Sequence, residues 1–304
     1  MVDPLADVVA LLRPAARFSK QVAGAGPWRI RRSDAGQPFY CAVLEGRCSL
    51  TLDDEPAVPL QGGDFVLVPA AYTVSMASAE APPQHVLSTP VALGDGRFRI
   101  GAQEGLPDLR ILAGHCSFES PDASLLVSLL PRLIHVRDEP RLATLVQLLG
   151  DESREHRPAR DVVLERLLEV LLIEALRSPG EPAGVSPGLA QGLADARLSV
   201  AIRALHANPA RPWTVAAMAK EAALSRSTFF ARFQSKVGMP PMEYLLAWRM
   251  ALAKDLLRRR AGAVSEIAAR VGYGSASTFS VAFSRHVGRS PTQFARAGAT
   301  GREG

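Results

Sequence analysis

The sequence predicts an α+β protein of two domains: an N-terminal β-barrel or sandwich with accompanying helices, then an all-α domain in which one pair of helices is written twice. Three observations carry that expectation. A Val- and Leu-rich run in the first half is broken by regular turn signals, a phrase near the end recurs at an offset of 50 residues, and charge of opposite sign is concentrated in the two parts. With 304 residues, 47% of them hydrophobic, the chain can bury one large core or two ordinary ones, and domains of about 100–200 residues favour two.

The run RIRRSDAGQPFYCAVLEGRCSLTLDDEPAVPLQGGDFVLVPAAYTVSM has turn signals at Glu45-Gly46, Asp53-Asp54 and Gly62-Gly63. It reads as consecutive antiparallel strands, which close into a small barrel or sandwich. Further on, DVVLERLLEVLLIEALR places Val162, Val163, Leu167, Val170, Leu171 and Glu174 at helical intervals among additional Leu and Ile. So broad an apolar surface must be covered on more than one side, by the helix's own domain or by a second copy of the chain, and the two can share the helix. The stretch RSPGEPAGVSPGLAQG, Arg177 to Gly192, is dense in Pro and Gly and reads as a flexible linker. The expected division is 1–178 for the first domain, 179–194 for the linker and 195–304 for the second domain.

The opening MVDPLADVVALLRPAARFSK lacks a basic start followed by a long apolar core, and no stretch reaches the roughly 20 apolar residues of a membrane span. A cytoplasmic protein with no membrane partner is expected. Three cysteines without a CxxC pair suggest neither a disulfide framework nor a structural zinc, and small buried hydrophobes are their simplest reading. The net charge of +5 conceals an asymmetry. From Asp195 onward there are 17 Lys and Arg against 6 Asp and Glu, a balance of +11, and the preceding part has 18 against 24, or −6. A segment so basic is suited to a polyanion, because neutralised phosphates release condensed counterions.

The repeat lies within that basic segment. RSTFFARFQSKVGMPP from Arg226 answers ASTFSVAFSRHVGRSP from Ala276, so that Phe229, Phe233, Gly238, Pro241 and Tyr244 correspond to Phe279, Phe283, Gly288, Pro291 and Phe294. In the first copy Thr214 starts a helix over VAAMAKEAALS. Ser225 caps a second helix whose phenylalanines, four apart, share a buried face, and Gly238 ends it. In the second copy Ser265 precedes EIAARVGYG and Ser275 precedes ASTFSVAFSRHVG. Each copy reads as a helix-turn-helix, a motif that offers its second helix to the DNA major groove. Between them PMEYLLAWRMALAKDLLRRR forms one helix of about 20 residues, hence roughly 30 Å. That approaches the roughly 34 Å between successive major grooves on one face of the duplex, with DNA bending to meet any shortfall.

The stretch from Trp213 to Arg296, with IAARVGYGSASTFSVAFSRHVGRSP as its most specific part, resembles the AraC/XylS-type DNA-binding domain. The resemblance implies a transcription regulator, most often an activator, that binds promoter DNA, works with RNA polymerase and carries an N-terminal domain for sensing or homodimerisation. It places outward-facing recognition positions at Ser227, Phe230 and Ala231 in the first copy and at Ala276, Ser277, Ser280 and Val281 in the second, behind the caps Ser225 and Ser275. Ala231 and Val281 stand where many relatives carry arginine, so bidentate guanine readout there is lost. Thymine-methyl contacts from Ala231 and Val281, hydroxyl contacts from the serines, and phosphate contacts from Arg226, Arg232, Lys236, Arg285 and Arg289 remain.

FYCAVLEGRCSL and GGDFVLVP resemble the cupin domain that precedes this module in many regulators, over roughly Phe18 to Phe118. Cupins can be metalloenzymes, and a metalloenzyme tethered to DNA is the alternative function. Counting from Gly46 and from Gly63 and Pro69, the ligand histidines of metal-binding cupins fall on Cys41 and Val74 here, and His85, His115 and His135 show no mutual ligand spacing. No metal, cofactor or catalytic residue is therefore expected, and the barrel is left as a pocket for an unidentified small-molecule effector. Cys41, Cys48 and Cys116 are the candidates for a redox input. If Glu45-Gly46 is a hairpin turn, Cys41 and Cys48 share a face at a diagonal of roughly 7–8 Å, too far for a disulfide without strand movement.

Overall fold

The computed structural model describes residues 3–32, 37–53, 55–70, 73–118, 120, 123–127, 130–155, 157–178 and 187–300. Residues 179–186 of the expected linker, and Asp54 of the expected second turn, lie outside them. The chain forms two compact units, Leu12–Ser120 with Pro131–Ser186, and Pro187–Gly304 with Met1–Leu11 and Pro121–Leu130.

The first unit contains β1 (Pro14–Ala25), β2 (Arg29–Arg32), β3 (Phe39–Glu45), β4 (Arg47–Leu52), β5 (Val58–Gln61), β6 (Phe65–Val68), β7 (Val74–Ser78), β8 (Val91–Gly94), β9 (Arg97–Gly101), β10 (Leu109–Phe118) and β11 (Ile134–Val136). They build a seven-stranded sheet, β11-β6-β3-β10-β1-β9-β8, and a four-stranded sheet, β2-β7-β4-β5. The inner faces meet in one apolar core that includes Val22, Trp28, Cys41, Leu50, Val66, Met76 and Ile111.

The strands are antiparallel as expected for most pairs, β4 and β5 forming a hairpin, but Glu45-Gly46 is not a hairpin turn. β3 and β4 adjoin in sequence but lie in different sheets. Val43 stands opposite Ile111, and Cys48 stands opposite Leu60 and Ser78. The chain changes sheets at Gly46, whose φ of 87° and tight approach to the Asp108 carbonyl both exclude a Cβ.

Helices α3 (Pro140–Arg154) and α4 (Arg160–Arg177) complete the unit. α4 buries Leu164, Leu168, Leu171, Leu172 and Ala175. Val162, Val163 and Val170, also assigned to its apolar surface, face outward.

The second unit is helical. It takes in α1 (Pro4–Leu12, through Leu11) and α2 (Ala123–Val127), followed by α5 (Leu189–Ala194), α6 (Leu198–Ala207), α7 (Val215–Glu221), α8 (Arg226–Val237), α9 (Pro241–Arg258), α10 (Val264–Arg270), α11 (Ala276–Val287) and α12 (Pro291–Thr300). α9 runs between the two helix pairs. Its Arg249 donates to the carbonyls of Pro209 and Arg211 and so ties it to the loop before α7. No described helix is long and apolar enough to cross a membrane.

Candidate nucleic-acid interface

The two helix pairs are built by local rules. At α8 the Ser225 hydroxyl accepts from the Thr228 N–H at 3.2 Å, and at α11 Ser275 accepts from Thr278 at 3.1 Å. Each helix ends on a glycine in the left-handed region, Gly238 with φ 88° and Gly288 with φ 76°. Thr214 caps α7 by accepting from Ala217. α10 begins earlier than expected, at Val264, so Ser265 lies inside it, and its start is closed by the Glu266 carboxylate accepting from the Ala263 N–H at 3.0 Å.

Buried phenylalanines fix which side of each helix turns outward. Phe229 packs on Phe233, which meets Tyr244 of α9, Phe279 and Phe283 cluster with residues of α9, α10 and α12, and all four are fully buried. What remains outside on α8 is the stripe Ser227, Ala231 and Ser235, flanked by Arg226, Phe230 and Lys236. On α11 the equivalent stripe is Ser277, Val281 and Arg285, with Arg289 just past the helix end. Val281 is 71% exposed and Phe230 40%, high values for apolar side chains on a helix. Leu246, contributed by α9 and 38% exposed, joins Ser277, Thr278, Val281 and Arg285 around one groove. Sequence reasoning assigned Leu246 to the connecting helix alone; its place at i+5 from Pro241 on the exposed side could have flagged it.

Three of the expected contact residues have partners or burial within the unit. Arg232 donates through Nε to the buried Asp195 carboxylate at 2.5 Å, which makes it a brace between α8 and the start of α6. Burial would raise the Asp195 carboxyl, but the Arg232 guanidinium and the N–H groups of Leu198 and Arg197 hold it below the ordinary value. Ser280 donates to the Ala276 carbonyl one turn back at 2.7 Å, so its hydroxyl is engaged within the helix, and Ala276 is half-buried. Ser227 and Ser277 remain exposed, their hydroxyls 3.2 and 2.9 Å from those of the caps.

The positive field extends below the second stripe. Lys254 of α9 is buried, and desolvation with the nearby Arg258 pulls its ammonium down to about 8. His286 is held below its ordinary value by burial and by Lys254.

In the sheet unit, Cys41, Cys48 and Cys116 are free and buried. Burial, with the neighbouring Asp64, pushes Cys48 up to about 12, and burial does the same for Cys116; burial raises Cys41 as well. Thiols held protonated at neutral pH are poor nucleophiles toward oxidants, which weighs against a redox input. Val74 is buried and paired with Leu52 and Arg32. Among the described residues no group of three or more His, Cys, Asp or Glu side chains could hold a metal ion.

A sheet-rich domain joined to a duplicated helix-turn-helix with two outward stripes defines a two-domain DNA-binding regulator. Known proteins agree. A cupin family model matches residues 3–179 and a helix-turn-helix domain model matches residues 218–297. A putative AraC-like transcription regulator of Streptomyces lividans is 37% identical over 302 residues, covering 96% of this chain and 98% of the relative. An HTH-type transcriptional regulator of Haemophilus influenzae is 30% identical, covering 88% and 90%. Among solved structures, the DNA-binding domain of AdpA in complex with a target DNA is 32% identical over 36% of this chain and 99% of that one, with a TM-score of 0.34. The chain belongs to the AraC-like transcription regulators.

Proposed function

We propose that this regulator reads promoter DNA with both recognition helices on one face of the duplex, acting as an activator that engages RNA polymerase in the cytoplasm. The observation that carries the reading is the pair of exposed stripes, Ser227–Ala231–Ser235 and Ser277–Val281–Arg285, at one offset on the most basic part of the chain. The 18 residues of α9 give about 27 Å of helix between the copies, so modest bending of the DNA brings both helices into successive grooves. Arg226, Lys236, Arg285 and Arg289 position the protein on phosphates; Ser227, Ser277, Ala231 and Val281 touch base edges. The sheet domain receives a small organic effector and has no catalytic role. What supports this is the apolar or buried character of Val74 and Cys41, where a metal-binding cupin carries histidines. The outward valines of α4 suit a homodimer interface.

The test is a binding selection followed by exchange of single thymines for deoxyuridine, which removes only the 5-methyl group. At the position under Val281 the exchange should weaken binding roughly fourfold, the worth of about 0.8 kcal/mol for one buried methyl. Val281→Ala should erase that difference. Indifference of the wild-type protein to every such exchange would overturn the thymine-methyl reading.

A further inference from the structure

We infer that the regulator selects its sites partly through A·T pairs midway between the two recognition grooves, and that Met242 and Leu246 of α9 read them through the width of the minor groove. The inference rests on the proposal that both recognition helices engage one face of the duplex. Apart from Val200, the large apolar side chains exposed among the described residues from Pro187 onward lie on the recognition helices, as Phe230 and Val281, or on the part of α9 between them, as Met242 and Leu246. Leu246 borders the same groove as Ser277, Val281 and Arg285 of the second stripe. Met242 stands one turn before it and closely follows Gly238, which ends α8. The pair therefore bridges the end of one recognition helix and the flank of the other, over the length of duplex that separates the two major grooves. On that length the groove turned to the protein is the minor one, roughly 6 Å wide, and four residues of helix rise about 6 Å, so one pair spans one groove. Neither side chain can bond a phosphate. The start of α9, PMEYLL, holds no basic residue, and its Glu243 would repel one.

What an exposed methionine and leucine gain from DNA is cover by the C–H faces of the deoxyribose rings, which form the walls of the minor groove. Those walls close when the duplex bends toward the protein. The bend is required because the 18 residues of α9 give about 27 Å where successive major grooves stand roughly 34 Å apart. Bringing the two major grooves together compresses the minor groove between them, and the energy of that compression depends on sequence. A·T tracts already have a narrow minor groove, whereas the 2-amino group of guanine projects into it and resists narrowing. The apolar pair adds to the same preference. Walls drawn close by A·T pairs cover Met242 and Leu246, and a wide groove leaves them wet. A lysine or arginine in either place would instead hold phosphates whatever the base pairs beneath it.

The experiment uses the full chain and a duplex obtained by binding selection, its central base pairs set to A·T, G·C or inosine·C. Inosine keeps the major-groove face of guanine and lacks the 2-amino group. Exchanging A·T for G·C should weaken binding roughly tenfold and reduce the bend read by energy transfer between the duplex ends. Inosine·C should restore the bend and bring the affinity within about twofold of A·T. Leu246→Ala and Met242→Ala, at exposed positions, should each reduce the preference for A·T over G·C roughly twofold to threefold and leave the salt slope unchanged, since no phosphate contact is removed. If the G·C duplex binds as tightly as A·T, or if inosine·C behaves like G·C, groove width is not read and the inference is wrong, while the two-helix reading stands. If both alanine variants keep the full preference, the role of the pair is overturned, and a loss of transcription in the same variants would place it against the polymerase instead. A footprint confined to one major groove would overturn the one-face reading itself and this inference with it.

Discussion

In the first helix pair Phe233 meets Tyr244 edge-on with ring centres 5.6 Å apart, and in the second Phe283 meets Phe294 edge-on at the same 5.6 Å. The rings before them, Phe229 and Phe279, lie 5.5 and 5.4 Å from their partners. The aromatic ladders are nearly superimposable, yet one hydroxyl separates their fates. Tyr244 bonds His206 at 2.6 Å; His206 stacks on Trp248 at 4.0 Å and turns its other nitrogen to Asp7 of α1 at 3.3 Å. The first copy is thereby pinned to α6 and α1, with Arg232 and Asp195 adding a second brace. The second copy has a phenylalanine in place of the tyrosine and Ala282 in place of Arg232. The duplication preserves the ladder that shapes a recognition helix, and the braces around it diverge. The first copy carries these braces, whereas the second has the more exposed apolar stripe and the added Arg285.

The largest test of this contrast removes a ring from each ladder. Phe233→Ala and Phe283→Ala should each cost about 3–5 kcal/mol. If the copies differ as described, residue-resolved hydrogen exchange should show Phe283→Ala releasing α10 to α12 with α6 to α8 still protected, and Phe233→Ala loosening both copies. Equal release in both variants would erase the distinction.

Next, Tyr244→Phe makes the first ladder like the second and leaves buried His206 short of a partner. Urea unfolding should show a loss of about 1–3 kcal/mol. The reciprocal Phe294→Tyr, at a half-buried ring, should change stability by less than about 0.5 kcal/mol.

Acid should act on both copies through histidines held neutral. Burial lowers His206 below its ordinary value of 6.5, with Asp7 and Asp3 pulling the other way, and His286 is lowered by burial and Lys254. A depressed histidine contributes stability that is fully present above 6.5 and is lost as pH falls through its folded-state value, because the unfolded chain takes up the proton first. Urea midpoints measured at pH 7.5 and 5.5 should fall with pH, and His206→Gln and His286→Gln should each shrink the difference. An unchanged difference in either variant would remove that histidine from the account.

The smallest effect concerns salt. Arg285→Ala should weaken promoter binding and reduce the salt slope by about 1, while Ser235→Ala, at the equivalent place in the first copy, should leave the slope unchanged.

Much of the helical unit was legible because its determinants are local. Phenylalanines four apart choose the buried face, a serine opens each recognition helix and a glycine closes it, all within 14 residues of one another. The Ser280 bond to Ala276 obeys the same short range and could have been read from the four-residue spacing. The Arg232 and Asp195 pair, 37 residues apart, could not, because nothing in either neighbourhood names the other. The sheets were legible as strands but not as an order. Glu45-Gly46 has the composition of a hairpin turn, and only the approach of the Asp108 segment reveals that the chain crosses there to a second sheet. The cysteine geometry inferred from that hairpin failed with it.

The place of β1 in the large sheet bears on how the chain comes off the ribosome. β1 is complete at Ala25, but its neighbours are β9, beginning at Arg97, and β10, ending at Phe118. At synthesis rates of about 5–20 residues per second, the 12-residue strand waits roughly 4–15 s for β9 and roughly 5–19 s for β10. The helix pairs close over short spans and consolidate as they emerge. The vulnerable period of biogenesis therefore falls early, before residue 118 leaves the exit tunnel, and a host depleted of the chaperones that hold nascent strands should lose this protein to inclusion bodies more readily than it loses the helical unit expressed alone.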